Sequence, residues 1–321
     1  MWINMTDSIE WALFEIEKQN WQINSPVESV QLSPWACVYR FNTTQGFIYL
    51  KSVPEKLSIE PNIIQILFEK LNANVPKIIA VNDQNACFLM HDCGITLHNY
   101  FKKEFQSEIL INILCHYIGI QIKSIDCIPQ FLSLGVPDWR IGALTKQYDA
   151  LISDEKLLLD DGLTGKEIGE LKILKSALSN ICEKLSRYKI PDTFGHADFH
   201  DKNILIDPKT QKTTIIDLGE VVITQPFFSL LNCIHRAKEN FNLSDDQYES
   251  IKNSILKKWT IFESEKNISE IFSLIEKCWS IHSVLGEYRL IHSVDRESYN
   301  KLKREGRISR NLRFWISENK K

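Results

Sequence analysis

The chain has 321 residues, 44% of them hydrophobic and 25% charged, so it is long and apolar enough to bury one large core or two lobes. A formal charge of −3 provides no basic field for nucleic acid. No cysteine pair has CxxC or zinc-ligand spacing, the N-terminus lacks a basic start followed by an apolar run, and no run approaches the roughly 20 apolar residues of a bilayer span. These features predict a cytoplasmic protein with reduced thiols and neither a nucleic-acid nor a membrane partner.

TDSIEWALFEIE carries Ile9, Leu13 and Ile16 at helical spacing, with Asp7 or Ser8 as the cap. The period then changes. VESVQLSP, WACVYRFNT and GFIYLKSV are β-branched and aromatic, and are split by turn residues at Ser33-Pro34 and Thr44-Gln45-Gly46, which predicts three antiparallel strands. IEPNIIQILFEKL returns to helical spacing, with Glu60 and Pro61 near its start, where both are favoured. VPKIIAVN and ACFLMHD read as short strands. From Ile95 onward the pattern is mainly helical, interrupted only around HADFHDKN and its flanking strands. The expectation is an α+β fold with a small β-rich lobe (residues 1–92) and a larger helical lobe (residues 93–321).

Residues 194–207, FGHADFHDKNILID, are followed by IIDLGE, and the short polar stretch KTQKTT between them predicts a hairpin with Asn203 and Asp217 at its two ends. His196, Asp198 and Asn203 have the spacing H-x-D-x-x-x-x-N, and phosphoryl transfer from a nucleotide requires such parts. Mg²⁺ takes hard oxygen ligands, which the Asn203 amide and the Asp217 carboxylate can supply. Asp198 would accept the proton of an attacking hydroxyl and orient it. Upstream, such a site needs a phosphate-binding lysine on a strand and a glutamate to hold it. Lys51 ends the strand GFIYLK and Glu60 opens the next helix. A lysine in an apolar strand implies a partner, since lysine is rarely buried alone.

In these motifs the chain resembles the aminoglycoside phosphotransferase and choline-kinase-like family, whose fold is bilobal and protein-kinase-like. The family's catalytic loop H-G-D-x-H-x-x-N stands here as HADFHDKN, and its metal segment as IIDLGE. The second histidine, His200, separates this family from typical protein kinases. The resemblance extends through YLKSVPEKLSIEPNIIQILFEKLNANVPKIIAVN, FLMHDCGITL and QPFFSLL, and covers roughly residues 25–235. It implies Asp198 as catalytic base, Asn203 and Asp217 as Mg²⁺ ligands, and Lys51 on the nucleotide phosphates with Glu60 as its ion-pair partner. It also implies the backbone of Met90, His91 and Asp92 on the adenine edge, His196 as support for the loop, and ATP as co-substrate for a small-molecule hydroxyl acceptor.

The sequence departs from the family in three places. Ala197 replaces a glycine, which restricts the loop backbone if that position needs φ > 0. Leu218 replaces an aromatic. LSPWACVYRF, in the position of the nucleotide loop, has no glycine, leaving Ser33, Trp35 and Ala36 to cover the nucleotide. Three other readings stay open: a nucleotide-binding pseudokinase, a protein kinase, and a zinc hydrolase with His196, Asp198 and His200 as ligands. The short span from Asp217 to Pro226 leaves no room for a long activation loop, which argues against a protein kinase. Asp201, Glu220, Glu287 and Asp295 are candidates to bind a cationic acceptor. Trp259, Trp279 and Trp315 are read as packing residues or pocket walls, His235, His282 and His292 as ordinary helix residues, and the basic C-terminal stretch as a solvated helical face.

Overall fold

The computed structural model describes residues 5–301 and 304–320. The chain begins with helix α1 (Met5–Lys18), followed by strands β1 (Glu28–Leu32), β2 (Cys37–Thr43) and β3 (Gly46–Ser52), helix α2 (Glu60–Glu69), and strands β4 (Ile78–Asn82), β5 (Cys87–His91) and β6 (Ile95–Thr96). Then come α3 (Leu97–Phe101), α4 (Ser107–Ser124), α5 (Ile128–Ser133), β7 (Asp138–Trp139), α6 (Ile141–Ser153), α7 (Glu155–Asp160) and α8 (Gly165–Leu185). Strands β8 (Thr193–His196), β9 (Ile204–Ile206), β10 (Thr213–Ile215) and β11 (Val221–Thr224) precede the last helices. These are α9 (Phe227–Phe241), α10 (Asp245–Leu256), α11 (Glu265–Ser293), α12 (Arg296–Lys301) and α13 (Arg307–Asn319). No helix among the described residues is long and apolar enough to cross a membrane.

The chain divides into two compact units. The first comprises the residues up to Leu97, Asn203–Gly219 and a short stretch beginning at Leu290; the second comprises His98–Lys202, Glu220–Arg289 and the C-terminal helix α13. The first is built on an antiparallel sheet in the order β1-β2-β3-β5-β4. Side chains alternate across a strand, so Ile48 and Leu50 of β3 share one face. There they pack with Phe41, Leu89, Cys87 and the Ala12 and Ile16 of α1. Each fully buried aliphatic side chain of this kind contributes about 2 kcal/mol. Lys51 follows Leu50 and so falls on the opposite face.

The α1 register differs from its expected stripe. Ser8, Ala12 and Ile16 are its buried residues, while Leu13 is exposed, because the sheet accepts a small-residue ridge at i, i+4 and i+8. Asp7 and Ser8 lie inside the helix rather than at its cap. A smaller sheet of the first unit, β10-β9-β6, contains the expected hairpin. Gly94 enters it at φ +104°, and a Cβ there would lie 2.3 Å from the Ile206 carbonyl oxygen, so only glycine fits.

In the second unit, α4 packs on β8 and α10, while α8 packs on α6 and α13. A short sheet, β7-β11-β8, carries the chain into HADFHDKN. β6, β7 and β11 interrupt a region expected to be almost wholly helical; the first two have two residues each, too short to show a two-residue period. α13 buries Ile308, Leu312, Trp315 and Ile316, so behind its solvated basic face the C-terminal helix has an apolar one. The Asp161 carboxylate accepts from the Gly306 and Ser309 amides at 2.9 and 2.7 Å and so caps the start of α13. All eight cysteines are free.

Candidate functional site

In the first unit the Lys51 ammonium lies 2.7 Å from Glu60 Oε2, 3.0 Å from Glu60 Oε1 and 2.6 Å from Asp217 Oδ1. Lys51 and Glu60 are buried, whereas the Asp217 side chain keeps 40% of its exposure. Glu60 sits in the first turn of α2, where a carboxylate meets the favourable end of the helix dipole. Its Oε1 also accepts from the Leu218 amide at 3.0 Å, so one carboxylate holds both the lysine and the backbone just past Asp217. Burial alone would depress the Lys51 ammonium, but the charges of Asp217 and Glu60 outweigh it and hold the group above its usual range. The Glu60 carboxyl is raised by burial and pulled back by Lys51. Here, then, is the partner that a lysine in an apolar strand implied.

Asp217 itself has φ +61°, a left-handed conformation that aspartate tolerates better than most residues. Ala197 is not among the positive-φ residues, so the alanine imposes no left-handed strain. The Ile216 amide donates to the Asn203 carbonyl at 3.0 Å, which brings the residues flanking β9 and β10 together. The Asn203 amide and the Asp217 carboxylate are hard oxygen groups of the kind that Mg²⁺ takes.

In the second unit β8 delivers His196, fully buried, to the loop. Its amide donates to the Tyr117 hydroxyl at 3.0 Å, and the Tyr117 ring stacks on Phe199 at 4.0 Å. His196 Nδ1 accepts from the Asp198 amide at 3.2 Å, so this imidazole shapes the loop backbone. The Lys202 amide donates to His200 Nδ1 at 3.1 Å, which leaves the ring proton on Nε2, 3.2 Å from Asp198 Oδ2. Burial pushes the Asp198 carboxyl up, but the His200 hydrogen bond, with the electrostatic field of the neighbouring His200, His196 and Arg236, brings it well below the usual carboxylate range. Asp198 is thus ionised at neutral pH and aligned by an imidazole, with 43% of its side chain exposed. Both rings being spent this way, the zinc reading loses its ligands. No group of three metal-binding side chains occurs among the described residues.

Several contributors were not visible in the sequence. Asp201 is buried, and accepts from His98 Nδ1 at 2.6 Å and Asn240 Nδ2 at 2.9 Å. Asn232 donates to the Phe199 carbonyl at 3.0 Å. Asn232, Arg236 and Asn240 form one stripe of α9 at i, i+4 and i+8, and this polar stripe on an apolar helix was the available signal. Asp201 is therefore a loop anchor and is not available to a cationic acceptor. Glu287 is likewise engaged, by Arg304 and by Arg307 at 3.3 Å. Asp295 accepts from the Ser298 amide and hydroxyl at 2.9 and 2.8 Å, and Glu220 lies in the field of the largely buried Arg289. Trp259 and Trp315 are fully buried packing residues, and Trp279 meets the His235 ring edge-on.

Met90, His91 and Asp92 end β5, with Met90 opposite Tyr49 and His91 opposite Ile48. The His91 amide donates to Lys77 O at 3.1 Å and the Asp92 amide to Phe47 O at 3.2 Å, so both amides serve the sheet. The structure thus gathers Lys51, Glu60, Asn203 and Asp217 in one unit, with Asp198 in the other, five residues before Asn203 in the chain.

No family model matches the sequence, and no curated protein matches it. Solved structures do. The chain is similar to an ethanolamine kinase of Plasmodium vivax at 14% identity and a TM-score of 0.62, over 95% of this chain and 85% of that one. A choline/ethanolamine kinase family protein of Mesorhizobium loti matches at 14% identity and 0.60, over 98% of each chain. An aminoglycoside phosphotransferase of Streptomyces rimosus, solved with ADP and streptomycin, matches at 14% identity and 0.51, over 85% and 98%. The chain has the α+β, protein-kinase-like fold that these kinases and phosphotransferases share.

Proposed function

We propose that this protein is a small-molecule kinase that transfers the terminal phosphate of ATP, with Mg²⁺, to a hydroxyl group. The observation that carries the reading is the buried lysine clasped by two carboxylates, Glu60 and Asp217. A structural ion pair is complete with one acid. A second, half-exposed acid on the same lysine is what a site for phosphate and metal requires. The solved structures of this fold that carry kinase or phosphotransferase names support the same class.

In this reading Lys51 binds the nucleotide phosphates and Glu60 keeps its ammonium in place. Asn203 and Asp217 hold Mg²⁺, which when bound neutralises phosphate charge. The backbone of Met90–Asp92 meets the adenine edge, where the His91 and Asp92 amides are already donated to the Lys77 and Phe47 carbonyls and the His91 carbonyl accepts from Cys93 Sγ. Asp198 accepts the hydroxyl proton. Its low proton affinity makes it a weak base, so its main contribution is to orient the hydroxyl for in-line attack, and the proton moves only as the phosphate transfers. His200 holds the Asp198 carboxylate at Oδ2, and His196 with Tyr117 holds the loop. The thiols suit a cytoplasmic location.

The acceptor is to be sought by screening hydroxyl metabolites and aminoglycosides for ADP release. Asp198→Asn is expected to lower turnover by about 10²–10⁴-fold while Mg-ATP binding persists. Unchanged turnover in that variant removes Asp198 as base. Asp217→Ala is expected to weaken Mg-ATP binding, and normal nucleotide affinity there rules out the metal assignment. A pseudokinase of the same fold would bind Mg-ATP and release no ADP with any acceptor.

A further inference from the structure

The turn between β1 and β2 has no glycine, yet it stands next to the lysine that the proposed function places on the nucleotide. Val38 pairs opposite Lys51 and Cys37 opposite Ser52, so the turn Ser33–Ala36 begins one residue beyond. Ala36 is buried with Val53 and Leu57, on the connection between the strand of Lys51 and the helix of Glu60. The turn closes on itself through the Ser33 amide and hydroxyl, each donating to the Ala36 carbonyl at 3.0 Å, and is tied down further. Ser33 Oγ accepts from the Ala36 amide at 3.0 Å, and the Trp35 indole Nε1–H donates to the Leu290 carbonyl at 3.0 Å. The Trp35 ring also meets Tyr299, itself fully buried, edge-on at 6.1 Å. On the adjoining connection, the Lys56 ammonium donates to the His292 carbonyl at 2.8 Å.

Leu290 and His292 lie in the last turn of α11, whose carbonyls have no amide partner within the helix. One of these, Leu290 O, also accepts from Ser293 Oγ at 2.7 Å. An indole donor and a cation therefore cap this end, where positive charge is favoured. Donors from both sides of Lys51, the turn before it and the connection after it, converge on one helix terminus.

We propose that Trp35 is a positioning residue of the nucleotide site, held by the stretch Leu290–Tyr299, which thereby gains a role beyond packing. The inference rests on the nucleotide reading above. A glycine-rich loop closes on phosphates by ordering its own backbone when the nucleotide arrives. Here the turn is closed beforehand by its own Ser33–Ala36 hydrogen bonds and fixed in place by the indole. Releasing the indole leaves only a fraction of molecules with the turn in its binding conformation, and the apparent affinity falls by that fraction.

The test is titration of the full chain with Mg-ATP, alongside its thermal midpoint. Trp35→Phe keeps a ring and removes the donor; it is expected to weaken Mg-ATP binding about three- to tenfold, the range of one lost hydrogen bond. Lys56→Met, at an exposed position that should not compromise folding, is expected to weaken it about two- to threefold. Once an acceptor is found, its KM should not move in either variant while the KM for ATP rises. A Trp35→Phe protein that melts earlier but binds Mg-ATP as tightly as wild type gives Trp35 a structural role only and overturns the proposal. Wild-type protein that binds no Mg-ATP removes the nucleotide reading itself, and the proposal with it.

Discussion

Lys51 and Asp198 are both held in their charged forms, but by opposite means. Lys51 is buried, and it stays charged because two carboxylates lie within 2.7 Å and overcome the cost of desolvation. Asp198 keeps 43% of its side chain exposed and is held by one imidazole, whose own direction is set by a backbone amide. The first arrangement is enclosed and keeps its charge against a large desolvation cost; the second is half-exposed and its charge depends on a hydrogen bond.

The largest departure from this pairing is expected from Lys51→Met. Removing one partner of a buried ion pair costs about 3–5 kcal/mol, at the lower end here because the half-exposed Asp217 can turn to water. Glu60, raised by burial, then has no cation to offset it. A carboxyl whose folded value is raised loses stability as pH rises, so the deficit should shrink in acid and grow in base, as denaturant melts across pH would show. A deficit that does not change with pH would mean that Glu60 is not the group left behind.

A smaller change, His200→Gln, sharpens the other half. Losing the imidazole should let the Asp198 carboxyl rise toward its ordinary range, so the acid limb of the pH–rate profile moves to higher pH, while at pH 7, where the carboxylate stays ionised, turnover falls about tenfold through lost alignment alone. Melting should change little. An acid limb that stays in place would assign the low proton affinity of Asp198 to other neighbours.

The smallest effect tests burial without partnership. His282 is fully buried, stacked on Phe228 at 4.3 Å and edge-on to Trp139 at 5.0 Å, and burial pushes its imidazole down to about 3. A histidine whose folded value is depressed loses stability as pH falls below its unfolded value near 6.5, because only the unfolded chain takes up the proton. His282→Phe keeps the stack and should roughly match wild type at pH 8. It should then exceed it by an amount that widens from pH 6.5 downward; parallel curves would contradict the assignment.

The β-rich half was legible because its strands are β-branched and aromatic and its turns carry proline and glycine at the breaks, so composition and punctuation agreed. Lys51, Glu60, Asp198, Asn203 and Asp217 stood out for the same reason, as charged or amide groups in apolar surroundings that need a partner or a task. His98, Asn232, Arg236 and Asn240 did not, because a polar residue on a helix reads as solvent-facing until the packing is known. Among the acidic candidates for acceptor binding, Asp201 and Glu287 were engaged for the converse reason, since nothing local shows that Glu287 faces Arg304 and Arg307 across 17 and 20 residues of chain.

By itself, then, the amino-acid sequence determined the order of strands and helices as far as β5, the hairpin that brings Asn203 toward Asp217, and the presence of a lysine in an apolar strand that needs acidic partners. These follow from local period, turn preference and the cost of burying charge, which act over a few residues. Only the tertiary structure decided which carboxylates Lys51 would share, that Asp201 would be spent on His98 and Asn240, and that Trp35 would be anchored 255 residues away at Leu290. Those choices depend on distances between segments remote in the chain, and no local propensity encodes such a distance.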